Sequence, residues 1–186
     1  MPRHLDGFPI WNAVVIGETT GLLRDEGVGR YGKGFYETQF AESFGRARRA
    51  HADDYPATLK LTVILGQYLA DEHRSRYYAR GQNLRRTLRG AYDEALAGVD
   101  VLAMPTTLQT AHEQRDDLGR LEIIDRALNM LPNTAPFDVT GHPALSVPAG
   151  ESDRLPVGLM FVGGAFEDGT VLRAGHAYER AVGWDL

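Results

Sequence analysis

The sequence predicts an α/β protein in which helices pack on a central sheet, and three observations carry that prediction. First, residues 133–150 read NTAPFDVTGHPALSVPAG and are punctuated by Pro136, Gly141, Pro143, Pro148 and Gly150. This leaves residues 144–147 as a short apolar run held between turns, the pattern of a buried strand. Second, residues 157–162 form another apolar run, and two neighbouring strands with little polar alternation predict a sheet covered on both faces. Third, Tyr77, Gly81, Leu84, Leu88, Ala91 and Ala95 recur at helical spacing, which predicts one long helix with a single packing seam.

Taken in order, residues 10–16 are apolar enough for a strand or a buried helix segment, and their length does not decide between the two. Residues 17–34, with Gly27, Gly29, Gly32 and Gly34 closely spaced, predict a surface loop. A phosphate cradle would need a preceding strand, a Lys-Ser/Thr ending and a following helix, and that pattern is absent. Tyr36, Phe40, Phe44 and Ala47 predict an amphipathic helix over 36–50 with its aromatic stripe turned inward. Asp53 and Asp54 before Pro56 signal the start of a second helix, continued by Leu59, Val63, Ile64 and Tyr68. The long helix stops at Gly98, and residues 99–104 follow as a buried strand closed by Pro105, Thr106 and Thr107. Asp116 and Asp117 can cap a helix from about Gly119, with Leu121, Ile124, Leu128 and Leu131 as its stripe before Pro132 ends it. Asp168 can cap a last helix whose Val171, Ala174, Tyr178, Ala181 and Val182 cover the sheet.

A chain of 186 residues suits one domain and can bury about 70% of its unfolded surface. A net charge of −5 argues against general nucleic-acid binding, which is driven by phosphate neutralisation. The arginines at 74, 76, 80, 85, 86 and 89 are offset by Asp71, Glu72, Asp93 and Glu94 and read as a solvated helix face. The absence of cysteine excludes disulfides and thiolate metal sites. The N-terminus lacks the charge and apolar pattern of a targeting peptide and no stretch is long enough to span a membrane, so a cytoplasmic location is expected.

Candidate nucleophiles fail on physical grounds. Ser146 follows Asp138 and His142 closely, yet a reactive serine needs exposure on a tight turn with a base in reach, and Ser146 falls within the apolar strand. His142, between Gly141 and Pro143, reads as a turn histidine satisfying backbone groups. The six histidines show no HExxH spacing and no paired ligand positions, so no metal site is expected.

The order of AYDEALAGVDVLAMPT, NTAPFDVTGHPALSVPAG and LPVGLMFVGGAFEDGTVLRAGHAYE resembles the C-terminal third of the amidase signature family. PIWN at residues 9–12 and the NTAPFDVTGHP wording look most like bacterial amidases associated with nitrile metabolism. The resemblance runs over nearly the whole chain, with 108–119 contributing little. It implies part of a mixed-sheet α/β/α fold, with residues 1–186 forming the C-terminal portion of a single amidase domain. It also implies hydrolysis of carboxylic amides to acid and ammonia through an acyl-enzyme, with no cofactor.

The family's chemistry uses a nucleophilic serine, a bridging serine in a cis peptide and an upstream lysine, drawn from a Gly/Ser-rich segment. No such run occurs here, and the only lysines, Lys33 and Lys60, are far from any serine pair. No catalytic residue is therefore assigned. The resemblance implies instead that the chain supplies the sheet and a pocket wall: Trp11, Leu128 and Leu131 would bind the acyl group, and Pro105 and Thr106 would shape the wall near the catalytic centre. The partners expected are a small-molecule amide and either a missing N-terminal half or a second copy that pairs exposed strand edges, with no nucleic acid and no membrane. Two alternatives stand: the glutamine-hydrolysing subunit of a tRNA-dependent amidotransferase, and a non-catalytic binding protein built on a truncated amidase scaffold.

Overall fold

The structure is a computed structural model and describes residues 3–28 and 33–183. Gly29, Gly32 and the status of Met1 lie outside the described residues. The chain divides into two compact units, Met1–Trp11 with Gln82–Leu186, and Asn12–Gly81. The divisions fall inside two helices, α1 (Gly7–Arg24) and α4 (Arg76–Leu96).

The first unit holds the sheet. Strands β1 (Val101–Pro105), β2 (Ala144–Ser152) and β3 (Leu155–Gly163) pair antiparallel in the order β1-β3-β2. Val101 faces Gly163 and Met104 faces Met160 across one pair, while Ala144 faces Val162 and Ser146 faces Met160 across the other. Alternation along β3 sends Met160 and Val162 to one face and Phe161 to the other. On the first face they join Ile10, Leu88, Tyr92, Phe137 and Val139 in a core cluster. On the second, Val147 and Phe161 pack with Val171 of α7 (Asp168–Val182), and Ala174 and Tyr178 pack against them. The central strand is thus covered on both faces, as the apolar run predicts. The edge strand β2 differs: Leu145 and Val147 pack on the side of Val171, whereas Ala144 and Ser146 alternate to the other face and are exposed. The last turn of α7 does not extend the predicted stripe, since Ala181 and Val182 are both exposed.

Leu88, Tyr92 and Val162 are almost wholly enclosed, each aliphatic side chain of that kind contributing about 1.5–3 kcal/mol over its exposed state. Tyr92 lies four residues beyond Leu88 on α4, on the same helical face. Helix α5 (Arg120–Leu128) forms where predicted, but its cap position is Gly119 with no side-chain bond. Asp117 pairs with Arg115 instead, and Leu121 is 82% exposed. A short helix that the punctuation does not predict, α6 (Ala135–Thr140), occupies the turn-rich word ahead of β2. Pro136 stands in its first turn, where no backbone N–H is required, and Gly141 ends it at φ 74°, a conformation that suits glycine.

The second unit is helical among its described residues. The segment at 10–16 is helix, since Pro9 sits in the first turn of α1, where its missing N–H costs nothing. The expected loop from residue 17 is corrected: α1 runs through Gly17 and Gly21 to Arg24. Glycine is costly in a helix but not forbidden, and here Gly17 lets the Tyr78 ring approach, with a built Cβ 3.3 Å from Tyr78 Cδ2. Helix α3 (Ala57–His73) follows Pro56 as predicted, and Thr20 on α1 bonds to the Thr62 carbonyl at 3.4 Å. Helix α2 (Thr38–Ala50) is capped by Glu37, which accepts from the Gln39 N–H. Its aromatic stripe does not turn inward: Phe40 is 64% exposed and stacks on Phe44. Helical spacing identifies a common face but carries no information about what that face meets.

Candidate functional site

A series of side-chain hydrogen bonds in the first unit leads to the end of β1. The Tyr92 hydroxyl lies 2.7 Å from His4 Nδ1, His4 Nε2 lies 2.9 Å from Asn133 Oδ1, and Asn133 Nδ2 donates to the Pro105 carbonyl at 2.7 Å. Burial without a charged partner pushes the Tyr92 phenol up to about 12. Immediately beyond β1, the Thr106 N–H donates to the Gly158 carbonyl at 2.9 Å, and the Thr106 and Ser146 hydroxyls stand 2.6 Å apart. A cavity of about 480 Å³ adjoins this turn, lined by Pro105, Thr107, Gln109, Ser152, Gly158 and Leu159 among others.

His142 is corrected from a turn residue serving the backbone. Its side chain is fully enclosed, bonded at Nδ1 to the Thr140 hydroxyl at 2.9 Å and at Nε2 to Asp93 Oδ1 at 3.1 Å. It packs against the Tyr92 ring and ties α6 to α4. Ser146 bonds to Thr106, while His142 turns to Asp93 and Thr140, so the sequence neighbourhood of Asp138, His142 and Ser146 does not form a relay. Among the described residues no group of three His, Cys, Asp or Glu side chains could hold a metal ion, and no helix is long and apolar enough to cross a membrane.

The three residues expected to bind an acyl group lie on separate elements. Trp11, on α1, packs against the first core cluster and stacks on Phe8 with ring centroids 6.0 Å apart. The nearby Trp11 indole N–H favours the ionised Asp138 carboxylate, whose pKa is nonetheless raised, because burial outweighs that effect. Leu128 ends α5 and Leu131 occupies the following turn, both half-buried. The Leu131 carbonyl accepts from the Thr134 and Ala135 N–H groups. The core cluster that Trp11 joins includes neither leucine.

Sequence reasoning did not single out His4, Tyr92 or Asn133. Asn133 opens the turn-rich word and Tyr92 shares a helical face with Leu88, which are local signals. Nothing around His4 marks it, since its partners stand 88 and 129 residues away.

An amidase family model, described simply as Amidase, matches residues 16–172. The chain belongs to the amidase signature family. This amidase-family chain is 42% identical to an enantioselective amidase of Rhodococcus rhodochrous, over 98% of its own length and 36% of that protein. It is also 42% identical to an uncharacterized protein in the nthA 5′ region of Rhodococcus erythropolis, over 95% of this chain and 89% of that one. A glutamyl-tRNA(Gln) amidotransferase of Haloarcula marismortui has a subunit that is 38% identical over 86% of this chain and 36% of that subunit. The fold matches a solved 6-aminohexanoate cyclic dimer hydrolase with a TM-score of 0.65 at 22% identity, covering 99% of this chain and 37% of that one. The chain therefore spans about a third of the length of the enantioselective amidase and of the amidotransferase subunit.

Proposed function

We propose that residues 1–186 act as the C-terminal portion of a single amidase domain that hydrolyses carboxylic amides to the acid and ammonia. The observation that carries this reading is the 42% identity to the enantioselective amidase across 98% of this chain and 36% of that protein. It stands beside a sequence with no Gly/Ser-rich run and no lysine near a serine pair. On this reading an upstream region supplies the serine nucleophile, its bridging serine and the lysine, while this segment supplies sheet and pocket wall. Trp11, Leu128 and Leu131 contact the acyl side chain, and Pro105 and Thr106 shape the adjoining wall. Large apolar walls favour aromatic or branched amides by burying their side chains. Residence in the cytoplasm goes with this reading and is checked by cell fractionation.

The test compares two proteins: the 186-residue chain alone and the product of the complete reading frame in its native cells. Intact mass of the native protein, followed by ammonia release from aromatic and aliphatic amides, gives the answer. A longer product that releases ammonia, with no release by the short chain, supports the reading. An active short chain, or an inactive long product, defeats it. Replacing Leu128 by Ala in the active protein is expected to change activity on bulky and small amides unequally, and an equal change removes Leu128 from the pocket.

The 38% identity to the amidotransferase subunit favours a second reading, glutamine hydrolysis that depends on partner subunits. The apolar character of Trp11, Leu128 and Leu131 argues against a glutamine pocket. Adding glutamine to the same assay separates the two.

A further inference from the structure

The hydrogen bonds that lead to Pro105 have a direction that chemistry alone determines. A backbone carbonyl cannot donate, so Asn133 presents its amide N–H to Pro105 and its carbonyl oxygen to His4. That oxygen can only accept, so His4 Nε2 carries a hydrogen. In the neutral ring Nδ1 is then a bare acceptor, and the Tyr92 hydroxyl 2.7 Å away donates to it. The order is Tyr92 O–H to His4, His4 N–H to Asn133, and Asn133 N–H to Pro105. Tyr92 is 0% exposed and Asn133 5% exposed, so water does not replace a lost member of the series easily.

The carbonyl at its end belongs to the turn that forms a cavity wall. Pro105, Thr107 and Gly158 line the 480 Å³ space, and Thr106 between them is tied to the Gly158 carbonyl and the Ser146 hydroxyl. Two of the turn's anchors therefore come from neighbouring strands. The third runs through Asn133 to residue 4.

We propose that His4, as its neutral Nε2–H tautomer, is a positioning residue that orients Asn133 against the Pro105 carbonyl and so sets the wall that Pro105 and Thr107 contribute to this cavity. Its consequence for amide selectivity rests on the amidase reading above, whereas its consequence for the wall does not. The ring reaches the Pro105 carbonyl through Asn133.

Two measurements test it. In the ¹⁵N-labelled full chain, the neutral His4 ring is expected to carry its hydrogen on Nε2 and none on Nδ1. A hydrogen on Nδ1 in the neutral ring overturns the proposal. The variants His4→Gln and His4→Asn then separate the two ends of the imidazole, because a glutamine amide reaches the Nε2 position and can donate to Asn133, while an asparagine amide reaches only the Nδ1 position. His4→Gln is expected to leave the Thr106, Thr107 and Gly158 amide resonances near their wild-type places, and His4→Asn to move them. Equal shifts in both variants, or no shift in either, refute the role, and if His4→Asn does not fold, the tautomer and His4→Gln decide.

In the complete amidase, His4→Asn is expected to raise KM for bulky amides about tenfold with a smaller change in kcat, and His4→Gln to restore it. A uniform loss of kcat would defeat the selectivity role. Absence of any amide hydrolysis by the wild-type complete protein would defeat the amidase reading, leaving the resonance result to decide the positioning role.

Discussion

Replacing Gly158 by Ala should cost this protein stability through two oxygen atoms that can be named in advance. A Cβ built at Gly158 falls 2.7 Å from Thr106 Oγ1, 2.8 Å from Ser146 Oγ and 3.2 Å from Thr106 Cβ. Both oxygens must move, and they are already joined to each other at 2.6 Å. Overpacking of this kind costs about 1–3 kcal/mol, and breaking the hydroxyl pair adds about 0.5–1.5 kcal/mol if neither oxygen finds water. Alanine in place of glycine recovers about 0.4–1 kcal/mol by restricting the unfolded chain. The expected net loss is about 0.5–4 kcal/mol, read as a lower urea midpoint with unchanged slope. The decisive comparison is the same substitution in a Thr106→Ala, Ser146→Ala background, where the oxygens are gone. There the cost should fall below about 0.5 kcal/mol or change sign. A loss of equal size in both backgrounds would refute the steric argument and place the effect in the backbone of β3 instead.

Tyr92→Phe should cost about 0.5–1.5 kcal/mol at neutral pH, through the lost donor to His4. It should also remove a pH step. The Tyr92 phenol titrates near 10 when unfolded and about 12 when folded, so as pH rises through that window the unfolded chain loses its proton first and stability falls. The fall is about 2–3 kcal/mol in the wild type, and a denaturation series from pH 9 to 12 that is parallel for both proteins would refute it. Asp138→Asn should leave the protein relatively more stable at pH 7 than at pH 3. Burial raises the Asp138 pKa, so its favourable contribution is present below the unfolded carboxyl pKa and lost as pH rises through the folded one. Thermal melts that show no pH-dependent gap between variant and wild type would contradict this. Leu88→Ala, at a side chain 1% exposed, should lose about 2–5 kcal/mol by cavity formation, and a loss under about 1 kcal/mol in a urea titration would show that the core there collapses freely.

Local pattern was enough for the elements whose spacing and punctuation agree. The apolar run at 157–162 lies within β3, the helix carrying Leu88 keeps a three-four spacing, and Gly141 and Pro143 mark the start of β2, although α6 ahead of them was not legible. The same reasoning failed where punctuation misled. Gly17 and Gly21 read as loop, yet both lie in α1; close approach by the Tyr78 ring offsets the poor helix propensity of Gly17, whereas a Cβ at Gly21 would meet nothing within 4 Å and that residue is carried by the helix around it. Phe40 and Phe44 share a face, but no neighbour among the described residues buries Phe40.

By itself, then, the sequence determined the α/β class, most of the helices and strands and the amidase family. Each follows from residue order within a few turns of chain or from long motif words. Only the tertiary structure decided that His142 bonds to Asp93 rather than forming a relay with Ser146, that Gly158 underlies the Thr106 and Ser146 hydroxyls, and that His4 reaches Tyr92 and Asn133. Those contacts join residues up to 129 positions apart. Hydrogen bonds at such separations depend on how whole elements are brought together, which local propensity does not encode.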